Sequence, residues 1–124
     1  MSNLLYKEEF FLLNGVLMDV HRTLGPGFLE IVYKDAVEFE FYKRNIDFNR
    51  ERGYSIDYKG TTLKHQFYAD FVVMDKIILE VKSQDGLPEV FSAQLLNYLR
   101  VSGNRLGVIA NFYGTSLQTK RIVL

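Results

Sequence analysis

Blocks of hydrophobic residues run along the chain, and their spacing changes from helical to strand-like and back. Apolar side chains at helical intervals predict a first helix from Leu4 to Leu24. This helix must end at Gly25-Pro26-Gly27, because proline cannot continue a helix and glycine tolerates left-handed backbone. The same spacing predicts a second helix from about Leu29 to Arg44. Two helices therefore precede the first strand-like segment.

Alternation of apolar and polar residues begins at Asp47. It predicts one strand through Tyr58, followed by a turn at Lys59-Gly60. Two short runs, Phe67 to Met74 and Ile77 to Val81, are rich in Val, Ile and Phe and predict two more strands. A tight turn at Asp75 joins them. We expect these strands to form an antiparallel meander.

The last third of the chain alternates between helix and strand. A helix is predicted from Glu89 to Val101, a strand from Arg105 to Phe112, and a further strand from Leu117 to Leu124. The order of elements predicts an α/β fold with a mixed central sheet flanked by helices. With 124 residues, we expect a single domain spanning residues 1–124.

Composition excludes several kinds of site. The chain has no cysteine, which excludes a disulfide framework and a thiolate zinc site, and its two histidines are too few for an all-imidazole metal site. The formal net charge is zero, which argues against a surface coated for non-specific nucleic-acid binding. The N-terminal residues lack a basic segment followed by an apolar one, so we expect a cytoplasmic location and no membrane association.

The hairpin around Asp75 carries the most informative residues. A turn symmetric about Asp75 places Asp70 opposite Glu80, and opposed residues on neighbouring strands have Cβ atoms about 4.5–5.5 Å apart. Like charges placed directly opposite each other destabilise a sheet. A bound divalent cation supplies a reason for this pair. Lys82 shares a face with Glu80, because side chains alternate along a strand.

The other face of this hairpin is expected to be wholly apolar. Six residues fill it in the predicted register: Ala69, Phe71, Val73, Ile77, Leu79 and Val81. Two alternatives stay open at this point. The acids and the lysine could form a weak ion pair on an exposed face, or the register could slip by one residue.

Candidate residues also lie on the helices. Glu30 falls in the first turn of the second helix, where an acid is also favoured by the helix dipole alone. Gln94 and Tyr98 are four residues apart and share one face of the third helix among apolar neighbours. Gln94 could therefore be functional or an ordinary core amide. His21 and His65 are expected at the surface.

Four groups of residues carry a resemblance to a known family: Gly27-x-x-Glu30-x-x-Tyr33, Asp70, Glu80-x-Lys82 and Gln94-x-x-x-Tyr98. Together they resemble the GxxExxY proteins, a small bacterial and archaeal family placed in the PD-(D/E)XK nuclease superfamily. The resemblance covers nearly the whole chain. It implies a restriction-endonuclease-like core of helix, three strands, helix and strand, with a metal-dependent phosphodiesterase site on the sheet.

By position, the resemblance implies that Asp70 and Glu80 are ligands of Mg²⁺ or Mn²⁺ and that Glu30 approaches the metal from its helix. Lys82 then activates or orients the attacking water, either as a base or as a fixed positive charge. The implied function is a nuclease that hydrolyses phosphodiester bonds in nucleic acid, with DNA as the first expectation. Independently of the family, carboxylate oxygens are the ligands that Mg²⁺ prefers.

Gln94 and Tyr98 are similar to the glutamine motif of recombination-type exonucleases in the same superfamily, so the resemblance places them at the site as well. Two residues depart from the pattern. Tyr68 stands where related sequences often have Arg, and Phe91 stands where they often have His. These departures motivate an alternative: a catalytically weak or inactive nuclease-fold module that binds nucleic acid or a protein partner.

A third interpretation is a structural oligomer. It rests on the aromatic content of 15%, with Tyr54, Tyr58 and Phe112 as candidate interface residues. These aromatics could equally pack in the core or on the sheet. A homodimer is also compatible with a small nuclease that must contact two strands.

Overall fold

The computed structural model describes residues 4–124. Three helices, α1 to α3, and seven strands, β1 to β7, follow in this order: α1 Lys7–Leu24, α2 Glu30–Lys43, β1 Phe48–Tyr54, β2 Asp57–Tyr58, β3 Thr61–Thr62, β4 Phe67–Val73, β5 Ile77–Lys82, α3 Glu89–Ser102, β6 Leu106–Asn111, β7 Gln118–Val123.

Five of the strands form one mixed sheet in the order β1-β4-β5-β6-β7. Strands β1, β4 and β5 are antiparallel neighbours, which confirms the predicted meander. Strand β5 runs parallel to β6, and helix α3 provides the crossover that a parallel pair needs. The expected α/β fold with helices flanking a mixed sheet is therefore confirmed.

The sheet is buried on both faces. Helices α1 and α2 pack on one face, in a cluster that includes Phe71, Val73 and Leu79 from the hairpin. Helix α3 packs on the other face through Leu95 and Leu99, in a second cluster with these sheet residues: Ala69, Val72, Ile78 and Ile109. Five of the six residues predicted for the apolar face lie in the first cluster: Phe71, Val73, Ile77, Leu79 and Val81. Ala69 was assigned to the same face but belongs to the second cluster, so the prediction is wrong for this residue.

Helix boundaries follow the local backbone. Tyr6 has a left-handed φ of 53°, so α1 begins at Lys7 rather than at the predicted Leu4. The helix ends at Leu24 and is capped by Gly25, as the Gly-Pro-Gly sequence predicts. Helix α3 ends at Gly103, whose φ of 80° is the left-handed conformation that glycine adopts most readily.

The predicted strand from Asp47 to Tyr58 divides into two parts. Strand β1 stops at Tyr54, and Tyr58 instead belongs to a separate two-stranded hairpin of β2 and β3. The predicted turn at Lys59 and Gly60 lies between them, with φ angles of 50° and 82°. Alternation continues from β1 into β2, so the sequence pattern did not mark the break.

His21 is more buried than predicted, and Phe112 takes the core position that the sequence left open. His21 is buried, its Nε2 lies 2.8 Å from the carbonyl oxygen of Gly114, and its ring stacks on Phe112. The prediction of a surface histidine is wrong here, because β6 and the loop after it close over α1. Phe112 is fully buried and is therefore not an exposed interface residue.

Within residues 4–124, no helix combines the length and the apolar character needed to cross a bilayer.

Candidate active site

The hairpin of β4 and β5 has the predicted register. Val72 pairs with Ile78, and Val73 pairs with Ile77. Met74 and Asp75 both have left-handed φ angles, 53° and 55°, as a tight hairpin turn of this kind requires. The local turn therefore fixes which residues of the two strands lie side by side.

At the end of this hairpin away from the turn, two carboxylates accept hydrogen bonds from the backbone of the opposite strand. The Asp70 backbone N–H donates to Oε2 of Glu80 at 3.2 Å. The Val81 backbone N–H donates to Oδ2 of Asp70 at 2.8 Å. Each acid thus accepts a hydrogen bond from the backbone of the opposite strand. The two side chains are held beside each other by main-chain groups and not by flexible surface contacts.

Glu80 is strongly desolvated. It is only 9% exposed, at the position where the sheet lies between helices on both faces. Burial, and next the negative charge of Asp70 and a hydrogen bond to its side chain, raise the pKa of Glu80 to about 9. A backbone hydrogen bond and the charge of Lys82 oppose this shift without cancelling it. Burial beside Asp70 therefore favours the protonated form of Glu80 near neutral pH.

Lys34 of α2 provides the positive charge nearest to Asp70. Its Nζ lies 2.9 Å from Oδ1 of Asp70, 3.4 Å from Oε2 of Glu30 and 3.8 Å from Oε1 of Glu51. The Lys34 side chain is 12% exposed and that of Asp70 is 13% exposed. Burial by itself lowers the pKa of Lys34, but the hydrogen bond and charge of Asp70, helped by the other two acids, raise it overall.

Glu51 reaches this cluster because the sheet is irregular beside Asp70. Strand β1 pairs with β4 at Arg50–Phe71 and at Arg52–Ala69, and the ladder is interrupted between these pairs. At the interruption, Glu51 has a left-handed φ of 56°, a conformation that costs a non-glycine residue about 1–3 kcal/mol. Strained backbone of this kind is most frequent at functional sites.

The Gly27-x-x-Glu30-x-x-Tyr33 motif at the start of α2 fixes the position of Glu30. Tyr33 is fully buried, and its hydroxyl donates to the Gly25 carbonyl at 2.6 Å and accepts from the Phe28 N–H at 3.3 Å. Its ring also stacks on Phe112 at 4.6 Å. Tyr33 thus ties the loop before α2 to the core, so that Glu30 is the first residue of the helix and faces the Lys34 ammonium.

Lys82 lies at the end of β5, in register with Asn111 of the neighbouring parallel strand. Its Nζ is 4.4 Å from the centre of the Phe91 ring, and Phe91 belongs to the first turn of α3. Such a cation–π contact contributes about 0.5–2 kcal/mol. Phe91, one of the two departures from the family pattern, therefore orients the lysine of the candidate site.

Helix α3 brings Tyr98 to the site but leaves Gln94 in solvent. The Tyr98 ring stacks on Phe67 of β4 at 4.0 Å with an interplanar angle of 3°. Burial, and next the charges of Glu80 and Asp70, raise the pKa of the Tyr98 hydroxyl. Gln94 is exposed, so it is not the core amide that the sequence left open. Its proposed role at the site stays a prediction.

The residues present suit a hard divalent cation, although they are arranged around an ammonium group. Among residues 4–124, no three His, Cys, Asp or Glu side chains lie close enough together to bind one metal ion. Glu30 contacts Lys34 rather than completing a set with Asp70 and Glu80. Nevertheless, the side-chain donors are carboxylate oxygens, and a cationic group already contacts Asp70. Carboxylate oxygens are the kind of donor that hard divalent cations such as Mg²⁺ and Mn²⁺ take.

Sequence reasoning missed three residues of this site. Lys34 could have been noticed, because it follows Glu30 by four residues on one helix face. Phe67 was assigned to a strand, but its stacking on Tyr98 depends on the distant α3. Glu51 had no sequence signal, because its position results from an interruption between two strands.

Comparison with known proteins identifies the family. The fold is a mixed sheet between helices that carries two neighbouring carboxylates and a lysine two positions beyond the second. A family model described as the PD-(D/E)XK nuclease superfamily matches residues 7–122. The chain therefore belongs to the PD-(D/E)XK nuclease superfamily.

A solved structure supports the same fold. The crystal structure of SSO0001 is similar to this chain with a TM-score of 0.61 at 20% sequence identity. The similarity covers 95% of this chain and 59% of that one, so this chain spans little more than half the length of its structural relative. No curated protein matches the chain.

Proposed function

We propose that the protein is a metal-dependent nuclease of the GxxExxY group that hydrolyses phosphodiester bonds in nucleic acid, with DNA as the first substrate to test. The observation that carries this proposal is the backbone-supported pair of Asp70 and Glu80, followed on the same strand by Lys82, in a member of a nuclease superfamily. Two neighbouring carboxylates can hold the divalent cation that metal-dependent phosphodiester hydrolysis requires.

Each residue has a role that follows from its environment. Asp70 and Glu80 are the carboxylates that would hold Mg²⁺ or Mn²⁺, and Glu30 is a third candidate ligand on α2. When bound, such a cation stabilises charge on the phosphate oxygens and favours formation of hydroxide from water. The Lys82 ammonium, held over Phe91, is available to orient the attacking water or to stabilise negative charge.

The proton on Glu80 affects how the site is loaded. Because burial and Asp70 raise the pKa of Glu80 to about 9, this acid must lose a proton before it can act as an anionic ligand. We therefore expect that divalent-metal binding releases a proton and strengthens as the pH rises towards about 9. Calorimetry in buffers of different ionisation enthalpy measures this release directly.

A nuclease assay tests the proposal. Labelled single-stranded and double-stranded DNA are incubated with Mn²⁺ and wild-type protein, Asp70→Asn or Lys82→Met. Removing a metal-site carboxylate or the lysine should lower the cleavage rate by about 10²-fold or more. Two matched changes outside the site, Asp85→Asn and Lys76→Gln, serve as controls and should cleave like the wild type. Cleavage that survives both site substitutions would contradict the proposed mechanism.

One observation favours a second candidate function. Lys34 pairs with Asp70, and burial raises the pKa of Glu80 and favours its protonated form, so the acid pair can be stable in the fold without a metal. The second candidate is therefore a nuclease-fold module with weak or no turnover that binds nucleic acid or a protein partner. Under it, Mn²⁺ binding that depends on Glu80 should not be detected by calorimetry, while labelled DNA still binds in a chelator.

A further inference from the structure

The position of the Lys34 ammonium suggests a control on metal binding, and this inference rests on the proposed function. Carboxylates from α2, β1 and β4 converge on this one group, namely Glu30, Glu51 and Asp70. A lysine ammonium is a compact, strongly hydrated point charge. The structure therefore places a cation of the protein itself among the acids of the candidate site.

The contact with Asp70 is built into the fold. Lys34 is mostly buried, on the same helix as Tyr33, which anchors α2 to the core. The 2.9 Å separation between its Nζ and Oδ1 of Asp70 is that of a charge-assisted hydrogen bond. By contrast, Arg52 and Asp75 are 3.4 Å apart and largely exposed, as in an ordinary surface pair.

Both oxygens of Asp70 are engaged in this arrangement. Oδ1 contacts Lys34, and Oδ2 accepts the Val81 N–H at 2.8 Å. A divalent cation that uses Asp70 must therefore replace the ammonium at Oδ1 or bind close to an uncompensated positive charge. Either route weakens metal binding, because like charges in a poorly hydrated site repel strongly.

We propose that Lys34 competes with the metal for Asp70. Lys34 must move away from Asp70 before a divalent cation can bind there. The same cluster offers the displaced ammonium new partners. Glu30 is 43% exposed and Glu51 is 52% exposed, so each can keep an ion pair with Lys34 further towards solvent. The flexible stem of lysine allows this movement without a shift of α2.

The competition has a functional consequence. At low metal concentration, Lys34 neutralises Asp70 and keeps the acid cluster stable without a divalent cation. At higher concentration, metal binding and departure of Lys34 occur together, so the apparent affinity for metal includes the loss of this ion pair. Lys34 therefore sets the metal concentration at which the site is loaded.

Calorimetric titration with Mn²⁺, in the absence of nucleic acid, tests the role of Lys34. Lys34→Gln removes the charge, Lys34→Arg keeps it, and Lys76→Gln removes a lysine whose 2.6 Å ion pair with Glu9 lies on the surface. Lys34→Gln should bind Mn²⁺ about tenfold or more tightly than the wild type, because a charge-assisted hydrogen bond no longer has to break. Lys34→Arg and Lys76→Gln should stay within about twofold of it.

The outcomes separate this inference from the proposed function. If wild type and Lys34→Gln bind Mn²⁺ equally and Glu80→Gln abolishes binding in both, Lys34 is no competitor and the nuclease proposal stands. If neither protein binds Mn²⁺ at millimolar concentration, the metal site itself fails and both proposals are overturned.

A second measurement uses the wild-type protein and does not depend on the folding of a variant. Selectively labelled lysine side chains are followed by NMR during titration with diamagnetic Mg²⁺. The resonances of the Lys34 ε-carbon and ammonium should shift with the bound fraction, while those of Lys76 should stay unchanged. Lys34 resonances that do not move at saturating Mg²⁺ overturn the inference.

Discussion

Asp70 and Glu80 are joined across the hairpin by the backbone: the Asp70 N–H donates to Glu80 at 3.2 Å, and Asp70 accepts the Val81 N–H at 2.8 Å. This reciprocal arrangement places two acids together in a largely buried part of the sheet. It is stable only if one of them is protonated or if positive charge lies nearby. Burial beside Asp70 raises the pKa of Glu80 and so favours the first solution, and the ammonium of Lys34 beside Asp70 supplies the second.

Glu80→Gln should stabilise the metal-free protein at alkaline pH. The pKa of Glu80 is raised from 4.5 to about 9, so the folded state binds this proton more tightly than the unfolded state. Stability therefore falls as the pH rises between these values, and the loss is complete above about 9. Glutamine resembles the protonated acid, so the variant should gain up to about 5 kcal/mol over the wild type by pH 8, at about 1.4 kcal/mol per pH unit, and should equal it near pH 4.

Chemical denaturation in the presence of a chelator, repeated across this pH range, measures the difference. Asp85→Asn is the control, because Asp85 is exposed and its substitution should leave the pH dependence unchanged. A stability difference for Glu80→Gln that does not vary with pH contradicts the assignment of the proton to Glu80.

Phe91→Leu should impair catalysis more than stability. The ring of Phe91 lies under the Lys82 ammonium at 4.4 Å, and its loss frees the lysine to adopt other rotamers. We expect kcat for DNA cleavage to fall about 2- to 30-fold, the range that corresponds to the cation–π contribution. Val90→Ala, at an exposed neighbouring position, is the matched control and should leave kcat unchanged. Equal rates for Phe91→Leu and wild type would show that the ring does not orient Lys82.

Gln94→Ala separates a substrate contact from a structural role. Because Gln94 is exposed on α3, its removal should change the free energy of unfolding by less than about 0.5 kcal/mol. If Gln94 acts on nucleic acid as its motif implies, kcat/KM should nevertheless fall by about 10- to 150-fold, the cost of one hydrogen bond to a charged group. The neighbouring exposed residue Asn97, changed to Ala, provides the comparison. Unchanged kcat/KM in Gln94→Ala removes this residue from the site.

Gly107→Ala tests the packing of α3 on the sheet. A Cβ atom at Gly107 would lie 2.7 Å from Cγ and Cδ2 of Leu95, closer than carbon atoms can approach. We expect a loss of about 1–3 kcal/mol in unfolding free energy, measured by denaturation. The double variant Gly107→Ala with Leu95→Val should recover part of this loss, because the shorter side chain vacates the space. A fully stable Gly107→Ala protein contradicts this close approach.

The sequence predicted the elements that depend on neighbours along the chain. The turn at Asp75, the register of β4 with β5 and the end of α1 at Gly25 follow from local turn and hydrophobic patterns. The partnership of Asp70 with Glu80 was predictable for the same reason, because a short hairpin leaves few registers open.

Contacts between distant segments could not be predicted from these local patterns. The burial of His21 depends on the loop at Gly114, and the break after Tyr54 separates β1 from a small hairpin that continues the same alternation. Ala69 lies on the face opposite to the one that strict alternation predicts, because the ladder between β1 and β4 is interrupted beside Asp70.

By itself, the sequence determined which residues could supply acid, amine and amide groups, and which two acids would meet across a hairpin. The tertiary structure decided their charge states and partners. Lys34 meets Asp70 from a helix that Tyr33 anchors to the core, and burial of Glu80 between helices on both faces raises its pKa. Desolvation and ion pairing depend on every segment that surrounds a group, whereas hairpin register depends on a few consecutive residues.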